Sequence, residues 1–138
     1  MKKKNILYCL IFIWLASSCY KASMNGKLDG MWQLMEIDKA GGECVDTKQE
    51  RRYYSIQLRL LSLRKADGYQ FLGRFVYTGD SLWIHDVRIY QAEDRPASKE
   101  QLLPFGISDL SERFKVETIT HEQMILKSEY ATLRFRKF

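Results

Sequence analysis

The feature that most constrains this chain is an alternation of apolar and polar side chains that runs, with breaks at turn residues, from Met31 to Phe138. Successive side chains of a strand point to opposite faces, so this period describes half-buried strands and not helices. Residues 31–38 form the first candidate, closed by Lys39-Ala40-Gly41-Gly42, with a loop running on to about residue 50. Residues 52–64 read as one long strand in which Tyr54, Ile56, Leu58 and Leu60 share a face until the phase slips at Leu60-Leu61. Such a slip predicts a bulge or bend. Asp67-Gly68 and Gly79-Asp80 are turn signals that frame residues 69–78, where Phe71, Gly73, Phe75 and Tyr77 share a face. Residues 81–90 follow as the next strand. Ser98 with Gln101 three residues on has capping-box spacing, which predicts a helical turn over 99–103 that Pro104 stops. Residues 105–107 read as a short strand, and 114–120, 124–128 and 131–138 close the chain. The expected class is all-β: an antiparallel up-and-down barrel of about eight strands with at most one short helix. Pairing the last strand with the first leaves no open edge.

Ahead of this pattern stands a segment of another kind. Lys2, Lys3 and Lys4 precede an apolar run over 6–16, then Ser17, Ser18 and Cys19. A cationic start, a short apolar stretch and small residues before a cut are the requirements of a secretory leader. The run is too short to cross a bilayer, which takes about 20 helical residues. With Cys19 directly after the small residues, the segment resembles a bacterial lipoprotein signal, although Leu15 stands four residues before the cysteine and not three. The resemblance implies a signal over 1–18, lipidation of Cys19, a tether over 19–27 and a folded domain over 28–138. Tyr20 in place of Asp, and no acidic cluster after Cys19, further imply outer-membrane sorting and the periplasmic face. The other reading is a plain secretory leader with Cys19 an ordinary thiol.

Charge and cysteine usage narrow the partners. The formal charge is +5, and Lys2, Lys3 and Lys4 leave with the signal, so residues 19–138 carry +2. Cations and anions alternate along the chain, so no nucleic-acid footprint is present. Of the three cysteines, Cys9 leaves and Cys19 carries lipid, which strands Cys44 alone in a loop composition. The fold therefore rests on its core and not on disulfides.

Leu28-Asp29-Gly30-Met31-Trp32-Gln33-Leu34 resembles the Gly-x-Trp entrance of lipocalins. In that family the Trp plugs one end of the barrel and a late Arg packs over it. The resemblance implies that Gly30 and Trp32 form this motif with Arg134 or Arg136, a cation–π contact of about 0.5–2 kcal/mol. The mature chain as a whole is similar to small lipocalin-like lipoproteins of Gram-negative bacteria, and Pro104-Phe105-Gly106-Ile107 adds to the likeness. It implies a barrel that takes a small apolar molecule.

Chemistry-bearing residues are few. His85 and Asp86 are strand neighbours and are expected on opposite faces, and His121 lies in a turn. No zinc-ligand spacing, nucleophile elbow or phosphate loop is present. Glu36 and Asp38 share a face, as solvated strand carboxylates commonly do. The expectation is a non-enzyme without metal or cofactor. Aromatic residues concentrate on three consecutive strands, and Tyr54, Phe71, Phe75, Tyr77, Trp83 and Tyr90 are the candidate ligand lining; plain core packing is the competing use. The expected function is a membrane-anchored binder of a small apolar ligand. An envelope protein-interaction subunit with a filled barrel, using loops 39–50 and 91–98, is the alternative. An enzyme of unfamiliar type would require a cleft gathering His85, a carboxylate and a hydroxyl.

Overall fold

A computed structural model describes residues 23–90 and 95–138 of the protein. The leader, Cys19 and the first residues of the tether lie outside the described residues. The strands are β1 (Gly30–Lys39), β2 (Cys44–Asp46), β3 (Arg52–Gln57), β4 (Leu60–Lys65), β5 (Gln70–Tyr77), β6 (Ser81–Ile89), β7 (Glu112–Ile119), β8 (Gln123–Lys127) and β9 (Ala131–Lys137). One short helix, α1 (Lys99–Leu102), lies between β6 and β7. From β3 onward each strand pairs antiparallel with the next, β1 pairs with β3, and β9 returns to β1. The result is a closed eight-stranded barrel. The three residues of β2 continue the β3 edge along the second half of β1, pairing Glu36 with Asp46 and Asp38 with Cys44.

Alternation dictates which side chains enter. Trp32, Leu34, Tyr54, Ile56, Leu61, Leu63, Phe71, Leu82, Ile84, Phe114, Met124, Leu126, Leu133 and Phe135 are buried, and their strand neighbours face water or the outer wall. An interior of eight strands is just wide enough for side chains to fill. Bulges fall between Leu34 and Glu36, Leu72 and Arg74, and Val116 and Thr118, where extra twist helps the sheet curl shut.

Four expectations change. Residues 52–64 are two strands, because Gln57 pairs with Leu60 across a tight Leu58-Arg59 turn in which Leu58 has φ 56°. The phase slip marked a reversal of direction and not a bend. Leu58 and Leu60 are consequently exposed, not core. Residues 105–107 are no strand: Leu103–Phe105 is a 3-10 turn ended by Gly106 at φ 78°. Residues 44–46, read as loop, pair as β2. Finally, Asp86 adopts φ 51° and the buried residues are Ile84 and Val87, so His85 and Asp86 both lie outside the barrel core and not on opposite faces.

Candidate functional site

The tether end of the barrel is sealed by residues close together in sequence. A 3-10 turn (Gly26–Leu28) carries Leu28 into the core, and the fully buried Trp32 donates from Nε1 to the Leu28 carbonyl at 2.9 Å. The cation over its indole is Lys137, 4.4 Å from the ring centroid, and not Arg134 or Arg136. Parity explains the correction. On β9 the buried set is Ala131, Leu133 and Phe135, so Lys137 continues the inward row while Arg134 and Arg136 are exposed. Arg136 instead donates to Gln33 at 2.9 Å, and Arg134 stands opposite Glu36. Gly30 has φ 127°, and a Cβ there would lie 2.6 Å from Lys137 Cε. The glycine thus makes room for the lysine stem, which reaches back to donate to the Asp29 carbonyl. Burial lowers the Lys137 pKa, opposed by the Asp29 charge. Burial would raise Asp29, but hydrogen bonds from Asn25 and Ser23 hold it below the usual carboxylate value.

The far end is sealed by the β6–β7 connection. β7 starts at Glu112 opposite Ile84, which leaves the second half of β6 without a β7 partner. The returning chain covers it: Ile89 N donates to Arg95 O and Ala97 N to Val87 O. Ser98 and Gln101 then form the expected capping box at α1. Beyond it Leu102, Phe105 and Ile107, all buried, drop into the barrel mouth. Phe105 meets Tyr54 and Phe71 at ring separations of 6.3 and 6.0 Å. Tyr54 donates its hydroxyl to the Phe105 carbonyl, and Arg52 donates to the Pro104 carbonyl while pairing with Glu50. Burial raises the Tyr54 pKa well above normal, with Glu112 adding to the effect. Glu112 in turn accepts from the backbone N–H groups of Ser108 and Asp109, fixing the way out of the plug. Gly106 sits so close to Leu133 that a Cβ would fall 2.2 Å from its Cδ2.

The six candidate lining residues therefore separate. Tyr54 and Phe71 are buried core, and Phe75 and Tyr77 are half-buried against it. Trp83 faces outward, with His85 stacked at 4.4 Å, Arg113 at 4.5 Å over the ring and Nε1 donating to Ser111 at 2.8 Å. Tyr90 is exposed. The barrel interior thus gathers four of the six, and the space among them holds the plug. Trp83 and Tyr90 are corrections to the lining: the strand bulge and outward parity take them away from it. Cys44 is exposed on β2, and its thiol donates to Glu36, which with burial pushes its pKa up to about 11.

Two grooves lie on the outer wall. A groove of about 1010 Å³ lies between the chain entrance and the β3–β4 turn, lined by Met24, Met31, Leu58, Leu60 and Leu72 with Asp29, Ser55, Gln57 and Ser62. A neighbouring one of about 310 Å³ is bounded by Leu60, Leu72, Arg74, Asp86, Arg88 and Tyr90. Sequence reasoning missed the larger groove because it assigned Leu58 and Leu60 to the core. The signal that finds it is the even spacing of Leu58 and Leu60 ahead of the odd-numbered core pair Leu61 and Leu63.

A closed antiparallel barrel with a Trp-sealed end defines a calyx-type fold, and similarity agrees. Residues 13–138 match the lipocalin-like domain family, and the chain belongs to that family. It is similar to a lipocalin-like protein from Bacteroides uniformis, with 27% identity, a TM-score of 0.63, and coverage of 82% of this chain and 100% of that one. An uncharacterized protein from Bacteroides eggerthii is also similar, at 25% identity and a TM-score of 0.57, covering 80% of this chain and 98% of that one. Comparison with curated proteins gives no match.

Proposed function

We propose that this chain is a lipid-anchored, non-enzymatic binding module of the outer-membrane periplasmic face, held by acyl groups on Cys19 and acting through its outer surface. One observation carries the choice of surface. Phe105 and its neighbours fill the calyx from within, while exposed apolar side chains collect in a groove outside it. A barrel that serves as its own ligand works as a scaffold, and contiguous apolar surface on a small domain marks a contact site. The anchor is supported by the leader layout, since acyl chains contribute about 0.8 kcal/mol per buried CH₂ and several together hold a protein stably. His85 is engaged with Trp83 on the outer wall, which favours contact over catalysis as its use.

Intact-mass analysis of protein purified from native membranes tests this. The expected species is residues 19–138 plus diacylglyceryl and fatty-acyl mass, with Cys44 as the single titratable thiol after denaturation. A chain retaining residues 1–18, or one with a second free thiol at Cys19, contradicts the reading.

A second reading places a small apolar ligand inside the barrel after the plug withdraws. It is favoured by the plug belonging to a connection and not to a strand of the wall. A saturable one-to-one complex with a long-chain fatty acid, accompanied by faster amide exchange at Leu102 and Ile107, establishes it; no complex at millimolar ligand rejects it.

A further inference from the structure

We infer that the tether end of the β1, β3, β4 and β5 outer wall rests on the bilayer that holds Cys19, with Leu58 as its inserted tip; this depends on the anchored reading above. Three independent features converge on that face. The first is the groove itself. Met24, Leu58 and Leu60 are 56%, 61% and 53% exposed, and they line one continuous concavity with Met31 and Leu72. Leu58 is held outward and does not simply dangle. Its backbone is left-handed at φ 56°, and its carbonyl accepts from Asn25 Nδ2 at 2.8 Å, which ties the β3–β4 turn to the incoming chain.

The second is reach. Four residue steps separate Cys19 from Ser23, and an extended chain covers at most about 3.6 Å per residue, hence about 14 Å in all. Ser23 itself lines the groove. An acylated Cys19 sits at the membrane surface, so the domain has no room to stand clear of the headgroups. Whatever touches them must lie beside Ser23.

The third is charge. Exposed Lys27 and Arg59 lie in the two segments that border the groove; the Asp29 carboxylate there stays ionised, bonded by Ser23 and Asn25 and facing the Lys137 charge, so cations outnumber it. At the other end of β1 the carboxylates are matched by cations: Glu43 pairs with Lys39 at 3.1 Å, Arg134 stands opposite Glu36, and Lys48 is exposed beside Asp46. Anionic headgroups attract juxtamembrane cations and repel carboxylates. The groove end therefore joins exposed apolar side chains to exposed cations, and that end faces lipid. A second copy of this chain would bring the same cations together, which disfavours the groove as a symmetric dimer contact.

The test uses the acylated full-length mature protein in vesicles of phosphatidylethanolamine and phosphatidylglycerol. Cys44 lies eight residues along β1 from Gly30 through its pairing with Asp38, about 26 Å at 3.3 Å per residue, and serves as the remote reference. A nitroxide is placed at position 58 in a Leu58→Cys, Cys44→Ser chain and, separately, on native Cys44. Leu58 is exposed, so the exchange leaves the core untouched. The expected result is at least a fivefold rise in oxygen-to-nickel-chelate accessibility at position 58 on vesicle incorporation, with no rise at Cys44. Equal aqueous access at both positions in a protein that floats with the vesicles overturns this inference alone. Protection at position 58 that disappears at low protein-to-lipid ratio assigns the face to a second copy and overturns it too. A chain without acyl groups removes both this inference and the anchored reading.

Discussion

The two ends of the barrel are closed by opposite means. At the tether end, Leu28, Gly30 and Trp32 lie within five residues, and Lys137 comes from afar. At the far end the plug is held across the fold: Tyr54 to Phe105 and Arg52 to Pro104 are contacts between residues 51 and 52 positions apart. A local seal forms with the first strand and is written in a short motif. The distant seal exists only once the barrel has closed.

The largest effect expected from breaking the comparison is at the plug. Phe105→Ala should destabilise by about 3–5 kcal/mol, as aromatic truncations in cores do. It should also create an internal cavity that binds benzene, measured by denaturant unfolding with and without the probe. If the variant loses less than about 1 kcal/mol, the plug is not part of the core. Tyr54→Phe removes the hydroxyl and leaves the Phe105 carbonyl unsatisfied, which should cost about 1–3 kcal/mol in the same assay. At the other end, Lys137→Met should cost about 1–2 kcal/mol through the lost cation–π contact and hydrogen bond.

The lysine also gives a pH signature. Its folded pKa is lowered from 10.5. Between the lowered value and 10.5 the unfolded chain holds more protons, so stability should rise with pH through that window in the wild type. Unfolding midpoints measured from pH 8 to 11 should show that contribution vanish in Lys137→Met. The smallest structural effect is outside both ends. With its pKa near 11, Cys44 should alkylate tens of times more slowly than an ordinary thiol at pH 8, because the thiolate is the nucleophile. Glu36→Gln should restore much of that rate without changing the unfolding midpoint; an unchanged rate would show that Glu36 does not hold the thiol.

The same contrast explains what could be read from the sequence. Alternation over β1, β5, β6 and the three closing strands set the barrel, and the Ser98–Gln101 spacing set α1, because period and cap are local. The plugging role of Trp32 comes from the resemblance of Gly30-Met31-Trp32 to the Gly-x-Trp entrance of lipocalins, a short local motif. The family likeness points to Arg134 or Arg136 as the cation over Trp32, yet the inward parity of Ala131, Leu133 and Phe135 on β9 selects Lys137. The reversal at Leu58-Arg59 escaped because Leu is a poor marker for a positive-φ turn that normally carries Gly or Asn. That error hid both the fourth strand and the outer groove. The plug escaped for a deeper reason: Leu102, Phe105 and Ile107 have neither strand nor helix period, and only the assembled mouth gives them partners.

The most direct test of the self-filled barrel is a crystal of the wild-type protein under xenon pressure, paired with one of Phe105→Ala. The account predicts no xenon within the wild-type barrel and a bound atom at the vacated ring in the variant. A xenon atom or unassigned density inside the wild-type calyx, among Tyr54, Phe71 and Phe135, would contradict it.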